Sequence, residues 1–273
     1  MSLIDRVSGS VSGSLVTGLP SVDIDGTPVH LVDGEDACGL IADAAEHSSS
    51  RPLAVVSINL DHVHHFGQSQ LKARHAAPDV VDDSVEWLNL IDGAPIAQHV
   101  RRVTGIACPK LSGSDLIGPV LDEAANQTLS VGVIGGMPEV TADLTARFAA
   151  DWPGIRFAGH WTPERDELDA PAAAERIAAE IRAARVDILL VCLGKPRQER
   201  WIAQWGAATG AGALLAFGAV VDFLAGRVSR APSWVSDAGM EWAWRLMLEP
   251  RRLARRYLIE GPPAYLAVRR SAA

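Results

Sequence analysis

The chain has 273 residues, 48% of them hydrophobic and 21% charged, with a formal net charge of −8. That length supports one substantial core, or one core with a small appendage, and the balance excludes a disordered or fibrous chain. No apolar run approaches the roughly 18–20 residues that span a bilayer, so any membrane contact is expected to be peripheral.

Residues 1–20, Ser/Gly-rich and without a basic-then-apolar leader pattern, read as a flexible N-terminus. Val22–Ile24 and Val29–Val32 read as strands around an Asp25-Gly26 turn. The turn is also the better account of Asp23-Ile24-Asp25, which otherwise suggests a metal-binding Asp-x-Asp. An Ala-rich helix is expected over Asp36–His47, then a buried strand at Leu53–Ile58. Further strands are expected at Trp87–Ile91, Ser130–Ile134, Ile155–Ala158, Asp187–Leu193 and Ala213–Phe217. Helices are expected at Ala142–Ala150, Ala172–Ala184 behind Pro171, and Glu199–Trp205. This alternation predicts an α/β fold: a parallel sheet covered on both faces, spanning 21–226.

Residues 227–273 differ from the rest. They hold nine arginines and no lysine, about +5 by count against about −13 for the body. Two helices, Glu241–Leu248 and Arg251–Ile259, are expected on either side of Pro250. Leu253 and Tyr257 share an apolar stripe beside Arg252, Arg255 and Arg256. Basic and amphipathic, the segment suits an anionic partner, a phosphate group or an anionic lipid surface. It is read as a separable appendage, whose removal leaves a soluble core.

In parallel sheets ligands bind beyond the carboxyl ends of the strands. The polar residues there are Ser57, Asn59, Asp92, Gly135-Gly136, Lys195 to Glu199, and Asp222. Ser57 and Asn59 share one face of their strand. Asp92 is a candidate general base, although Asp-Gly is also common turn chemistry. Gly194-Lys195-Pro196-Arg197-Gln198-Glu199 places a close backbone approach before a helix start, where an anion or a sugar could bind. The glycines at 132, 135 and 136 lack the full dinucleotide spacing, and no phosphate loop of the G-x-x-x-x-G-K type is present. Asp61-His62-Val63-His64-His65 has zinc-compatible residue types, but no second His/Cys half completes it, so solvated helix-start histidines are expected. Cys38, Cys108 and Cys192 have neither disulfide nor zinc spacing; they read as buried filler in a reducing cytoplasm.

The order of several blocks resembles the bacterial WecG/TagA/CpsF glycosyltransferase family. The blocks are SINLDHV (57–63), DG (92–93), KLSGSDL (110–116), VGVIGG (131–136), WPGIRFAGHW (152–161), DILLVCLGKPRQERWI (187–202), FGAVVDFLAGRVSRAPSW (217–234) and GMEWAWRLMLEPRRLARRY (239–257). The resemblance implies a Rossmann-like core with a C-terminal appendage that meets the membrane and closes the active site. It implies inverting, metal-independent transfer of N-acetylmannosamine, glucose or a related sugar from a UDP-sugar to a polyprenyl-diphosphate-linked sugar. Beyond the donor no cofactor is implied. The expected site is the inner face of the plasma membrane; nucleic acid is not an expected partner, and a homo-oligomer is left open. Asp92 matches the family's base, Ser57 and Asn59 a pocket-lining pair with Ser in place of Thr, and Gln198 the pocket glutamine. Arg245, Arg252 and Arg255 match the appendage arginines, expected to hold the donor diphosphate while Arg251, Arg256, Arg269 and Arg270 remain for the membrane. Two blocks depart from the family pattern: Lys110–Asp115, and Ala94-Pro95 after the DG. The alternative from another class is a non-catalytic nucleotide-sugar or anion-binding module.

Overall fold

In the computed structural model the described residues are 14–47, 50–68, 84–227, 241–248 and 250–271, without the side chains at 241, 242, 245, 248 and 250–252. The first elements are β1 (Ser21–Ile24) and β2 (Thr27–His30), an antiparallel hairpin. Asp25 at φ 53° and Gly26 at φ 83° turn it, and the Asp23 carboxylate accepts from the Gly26 N–H at 2.9 Å. Asp23 therefore serves the turn, as the sequence suggests. His30 is buried and its Nδ1 accepts from the Asn89 N–H at 3.0 Å. Burial pushes its pKa down to about 4, so a neutral imidazole staples the hairpin to the sheet.

Next come α1 (Gly34–Glu46), β3 (Leu53–Ile58), α2 (Leu60–Phe66), β4 (Glu86–Ile91), α3 (Ala94–Thr104), α4 (Gly113–Asn126) and β5 (Ser130–Gly135). They are followed by α5 (Thr141–Asp151), β6 (Arg156–Trp161), α6 (Arg165–Asp169), α7 (Pro171–Ala183), β7 (Ile188–Cys192), α8 (Arg197–Trp205), β8 (Ala213–Ala216) and α9 (Val220–Leu224). The chain then forms α10 (Glu241–Leu248), α11 (Pro250–Arg255), a π-helical turn (Arg256–Glu260) and α12 (Gly261–Arg270).

Strands β3 to β8 form one parallel sheet in the order β4-β3-β8-β7-β5-β6. Alternate strand residues serve two cores, as the two-residue period requires. Leu53, Val55, Leu88, Leu90, Val131, Val133 and Leu215 face α1, α4, α5 and α9. Ala54, Val56, Ile58, Ile134, Leu189 and Leu214 face the hairpin, α2, α3, α7, α8 and α12. Both faces are thus apolar, which explains why these strands read as continuous apolar runs.

Three expectations change. Ser14–Pro20 was expected to be flexible, yet from Ser14 onward the backbone is tied down: Leu15 and Val16 N–H groups donate to the Glu86 carboxylate at 3.2 and 2.9 Å. Residues 1–13 lie outside the described residues. The Asp61–His65 run is not a solvated helix start. Asp61 and His62 are buried, because α12 packs against α2 and α3. The tail is not simply appended, either. Ala264, Ala267 and Val268 of α12 belong to the second core, so removing 227–273 would strip that face of the sheet's support.

Three of the helices that escape the sequence pattern carry prolines at their starts or inside. Pro95 sits in the first turn of α3, after Gly93 at φ 82°; this is the structural sense of the unusual Ala94-Pro95. Pro119 lies inside α4, and Pro262-Pro263 open α12. Lys110–Asp115 likewise has a local explanation: Ser112 caps α4 in a box with Asp115, each side chain meeting the other's backbone N–H. Gly113 then packs against Phe217, where a Cβ would come within 2.6 Å of the ring's Cγ.

Candidate active site

The strand ends bring the predicted polar residues to one rim. Asn59 follows β3 and is the N-cap of α2, its Oδ1 accepting from the His62 N–H at 3.1 Å. Its Nδ2 donates to Asp92 Oδ2 at 2.8 Å. Asp92 follows β4 and is held by its backbone too, its N–H donating to Ile58 O at 3.0 Å. The N-cap of α3 is Gly93, and the Asp92 carboxylate is engaged by Asn59. Ser57 is buried, and its hydroxyl donates to Leu111 O at 3.3 Å. Leu111 N–H in turn donates to Ile91 O at 2.6 Å, which draws the loop before α4 across the ends of β3 and β4.

From β7, Gly194 at φ 76° turns the chain into α8. Lys195 reaches back across the rim, its Nζ donating to Ser57 O. Glu199 lies one turn along, 4.0 Å from that ammonium, with side chains only 10% and 2% exposed for Lys195 and Glu199. Burial lowers the Lys195 pKa, opposed by the carboxylates of Glu199, Asp92 and Asp61, while Arg256 lowers it further. Burial raises that of Glu199, opposed chiefly by Lys195. Desolvation thus draws the two proton affinities towards each other. Gln198 faces inward: its Oε1 accepts from Gly194 N–H at 3.1 Å, and its Nε2 donates to Ala216 O at 2.8 Å and Glu199 Oε1 at 3.1 Å. It binds the β7 turn to β8, and Gly218 leaves room for its amide.

The connection leaving β7 runs to β8, while that leaving β5 runs the other way, to β6. Their carboxyl ends therefore flank a switch-point crevice of the kind that binds ligands in open α/β sheets. Gly135 and Gly136, at φ 99° and 83°, line it. A Cβ at Gly135 would lie 2.5 Å from Cys192 O, and one at Gly136 2.8 Å from Val221 Cγ2, so only glycine allows this closeness. His160, in the WPGIRFAGHW block, sits beside it with Nε2 2.7 Å from Gly135 O and Nδ1 2.8 Å from Thr141 Oγ1. Asp222 on α9 adds its charge near Cys192, whose thiol is pushed up to about 12, first by burial and then by that carboxylate. Cys192 is accordingly inert at neutral pH.

The tail arginines divide in an unexpected way. Arg256, expected at a membrane surface, turns inward and meets Asp61 at 3.4 Å. Arg255 is 80% exposed and pairs with Glu260 at 3.0 Å. The side chains of Arg245 and Arg252 lie outside the described residues. The pairing of Asp61 with Arg256 is what sequence reading missed: each lies in a different block, and they are almost two hundred residues apart. Among the described residues no group of three or more His, Cys, Asp or Glu side chains is arranged to hold a metal ion.

A strand-end rim carrying an anchored carboxylate beside a glycine-lined crevice suits group transfer from a phosphorylated donor. The family model described as the glycosyl transferase WecG/TagA/CpsF family matches residues 22–273. The chain belongs to the WecG/TagA/CpsF family of glycosyltransferases. It is therefore a glycosyltransferase of cell-surface polysaccharide synthesis, and the family implies in general a nucleotide-sugar donor and a lipid-linked acceptor. The match runs from the hairpin through α12, so the tail belongs to the WecG/TagA/CpsF unit as fully as the sheet does. Among the described residues no helix is long and apolar enough to cross a membrane.

Proposed function

We propose that this enzyme transfers a hexose or N-acetylhexosamine, with inversion, from a UDP-sugar to a sugar carried on polyprenyl diphosphate, and that Asp92 is the general base. The observation that carries this is the Asn59–Asp92 bond of 2.8 Å. It orients a carboxylate at a strand end and leaves its other oxygen available for an acceptor hydroxyl. As that hydroxyl attacks the anomeric carbon, its proton passes to Asp92, the glycosidic bond to UDP breaks, and UDP leaves with the electron pair. The leaving diphosphate needs positive charge, and the arginine-rich segment 227–273 is its source in this reading, with no metal required. Ser57, Lys195, Glu199 and Gln198 shape the rim, and Gly135, Gly136 and Asp222 shape the crevice for the nucleotide.

Peripheral attachment to the anionic inner membrane surface is part of the same reading. The tail presents exposed Met247, Leu258, Ile259 and Leu266 with Arg255 among them, a combination that suits the headgroup boundary. Asp92→Asn tests the base. UDP release with a short-chain lipid-diphosphate acceptor should fall about 10²–10⁴-fold; a rate within a few-fold of wild type, with the fold intact by circular dichroism, removes Asp92 from the mechanism.

A further inference from the structure

We propose that the buried Lys195–Glu199 pair is a positioning device for sugar transfer, with Lys195 the cation that fixes the end of β3 beside Asp92 and Glu199 the carboxylate that holds that cation in place. The proposal rests on the reading of Asp92 as the base and goes beyond it by giving these two residues a role other than contact with substrate.

The geometry carries it in three steps. Lys195 Nζ donates to Ser57 O. Ser57 stands two residues before Asn59, the residue whose amide holds the Asp92 carboxylate at 2.8 Å, so the ammonium fixes the strand end from which Asp92 is oriented. Glu199 is 4.0 Å from Nζ and 2% exposed. One of its oxygens, Oε1, accepts from Gln198 Nε2 at 3.1 Å, and Oε2 has no hydrogen-bond partner among the described residues. A buried carboxylate so poorly hydrogen-bonded is costly unless its charge is used, and the adjacent ammonium is where it is used.

Among the described residues the charges acting on Nζ are Glu199 on α8, Asp92 beyond β4, Asp61 on α2 and Arg256 from the π-helical turn. Three acids face two cations, so loss of the Lys195 proton leaves Arg256 as the only remaining cation among these five. Burial lowers the Lys195 pKa and Glu199 is its largest support. As pH rises through that lowered value the ammonium is lost, and with it the tie to β3. Removing the Glu199 charge lowers the value again, so the alkaline limit of activity moves to lower pH.

The test is Glu199→Gln, which keeps shape and hydrogen bonding. UDP release is followed against pH with UDP-sugar and the lipid-diphosphate acceptor. The alkaline limb of kcat should move to lower pH, with the acid limb in place and the donor KM within a few-fold. Lys195→Met should lose at least about tenfold in kcat with the same KM pattern, and Lys195→Arg should recover part of it. The paired Lys195→Met/Glu199→Met variant removes both buried charges, so it should fold and be as slow as Lys195→Met alone. An unmoved alkaline limb, a Lys195→Met kcat within about threefold of wild type, or a rise in KM alone overturns the proposal. Failure of the base reading shows differently: wild type releasing no UDP, or Asp92→Asn keeping its rate.

Discussion

The Asp61 carboxylate on α2 faces the Arg256 guanidinium of the π-helical turn at 3.4 Å, and His65 approaches the same carboxylate at 3.6 Å. Just beyond, Glu260 lies between Arg255 at 3.0 Å and His64 at 3.9 Å. The His-rich run of α2 is thus the body's receptor for the tail. Asp61 is 7% exposed and Arg256 29%. The pair therefore falls between a surface bridge, under about 1 kcal/mol, and a buried one whose rupture costs about 3–5.

Asp61→Asn and Arg256→Gln should each loosen the turn, and a double-mutant cycle should return a coupling of about 0.5–3 kcal/mol in urea unfolding. Hydrogen exchange in 256–260 should rise in both single variants. Additive effects and unchanged exchange would mean that the tail is held by α12 packing alone.

Asn59 does two jobs with one side chain: Oδ1 caps α2 and Nδ2 holds Asp92. The jobs can be separated. Asn59→Asp keeps a capping oxygen but places a like charge against Asp92, so stability should change by less than about 1 kcal/mol while kcat falls about 10–100-fold. Asn59→Ala loses the cap as well, at about 1 kcal/mol. Thermal melts beside UDP-release rates check both, and equal loss of stability in the two variants would contradict the division.

The exposed apolar residues of the tail predict a lipid dependence. Leu258 and Ile259 are 62% and 67% exposed, so Leu258→Ser/Ile259→Ser should leave the melting temperature within a few degrees and cut binding to anionic vesicles several-fold. Unchanged vesicle binding would assign that surface to another partner.

Much of the sheet was legible because each strand is buried on both faces. Leu53–Ile58 reads as an uninterrupted apolar run and is that strand. Asp25-Gly26 announced its hairpin through positive φ. The rim was legible for a geometric reason: residues at strand ends converge whatever their side chains. The inward course of Gln198 was not, since an amide at a helix start looks the same facing a ligand or facing Ala216 O. The role of Asp61 was hidden more deeply. Its partner Arg256 is distant in sequence, and α12, which buries it, opens with two prolines that disguise a helix. Charge counting recognised the tail as basic but could not tell Arg256 from Arg255, because neighbours on a helix point about 100° apart.

The terminal helix changes how the arginine-rich segment can be thought of. Ala264 and Val268 are fixed in the core at one end, and Arg227, whose N–H bonds to Asp222 O at 2.9 Å, is fixed at the other. The chain between them is tethered at both ends, so its proposed approach to the cleft is an intramolecular event. On the proposed closure its arginines would meet the rim at an effective concentration on the order of millimolar, whatever the concentration of enzyme. The proposed closure should therefore be insensitive to dilution, whereas added salt, by screening exposed charges such as Arg255, should weaken it.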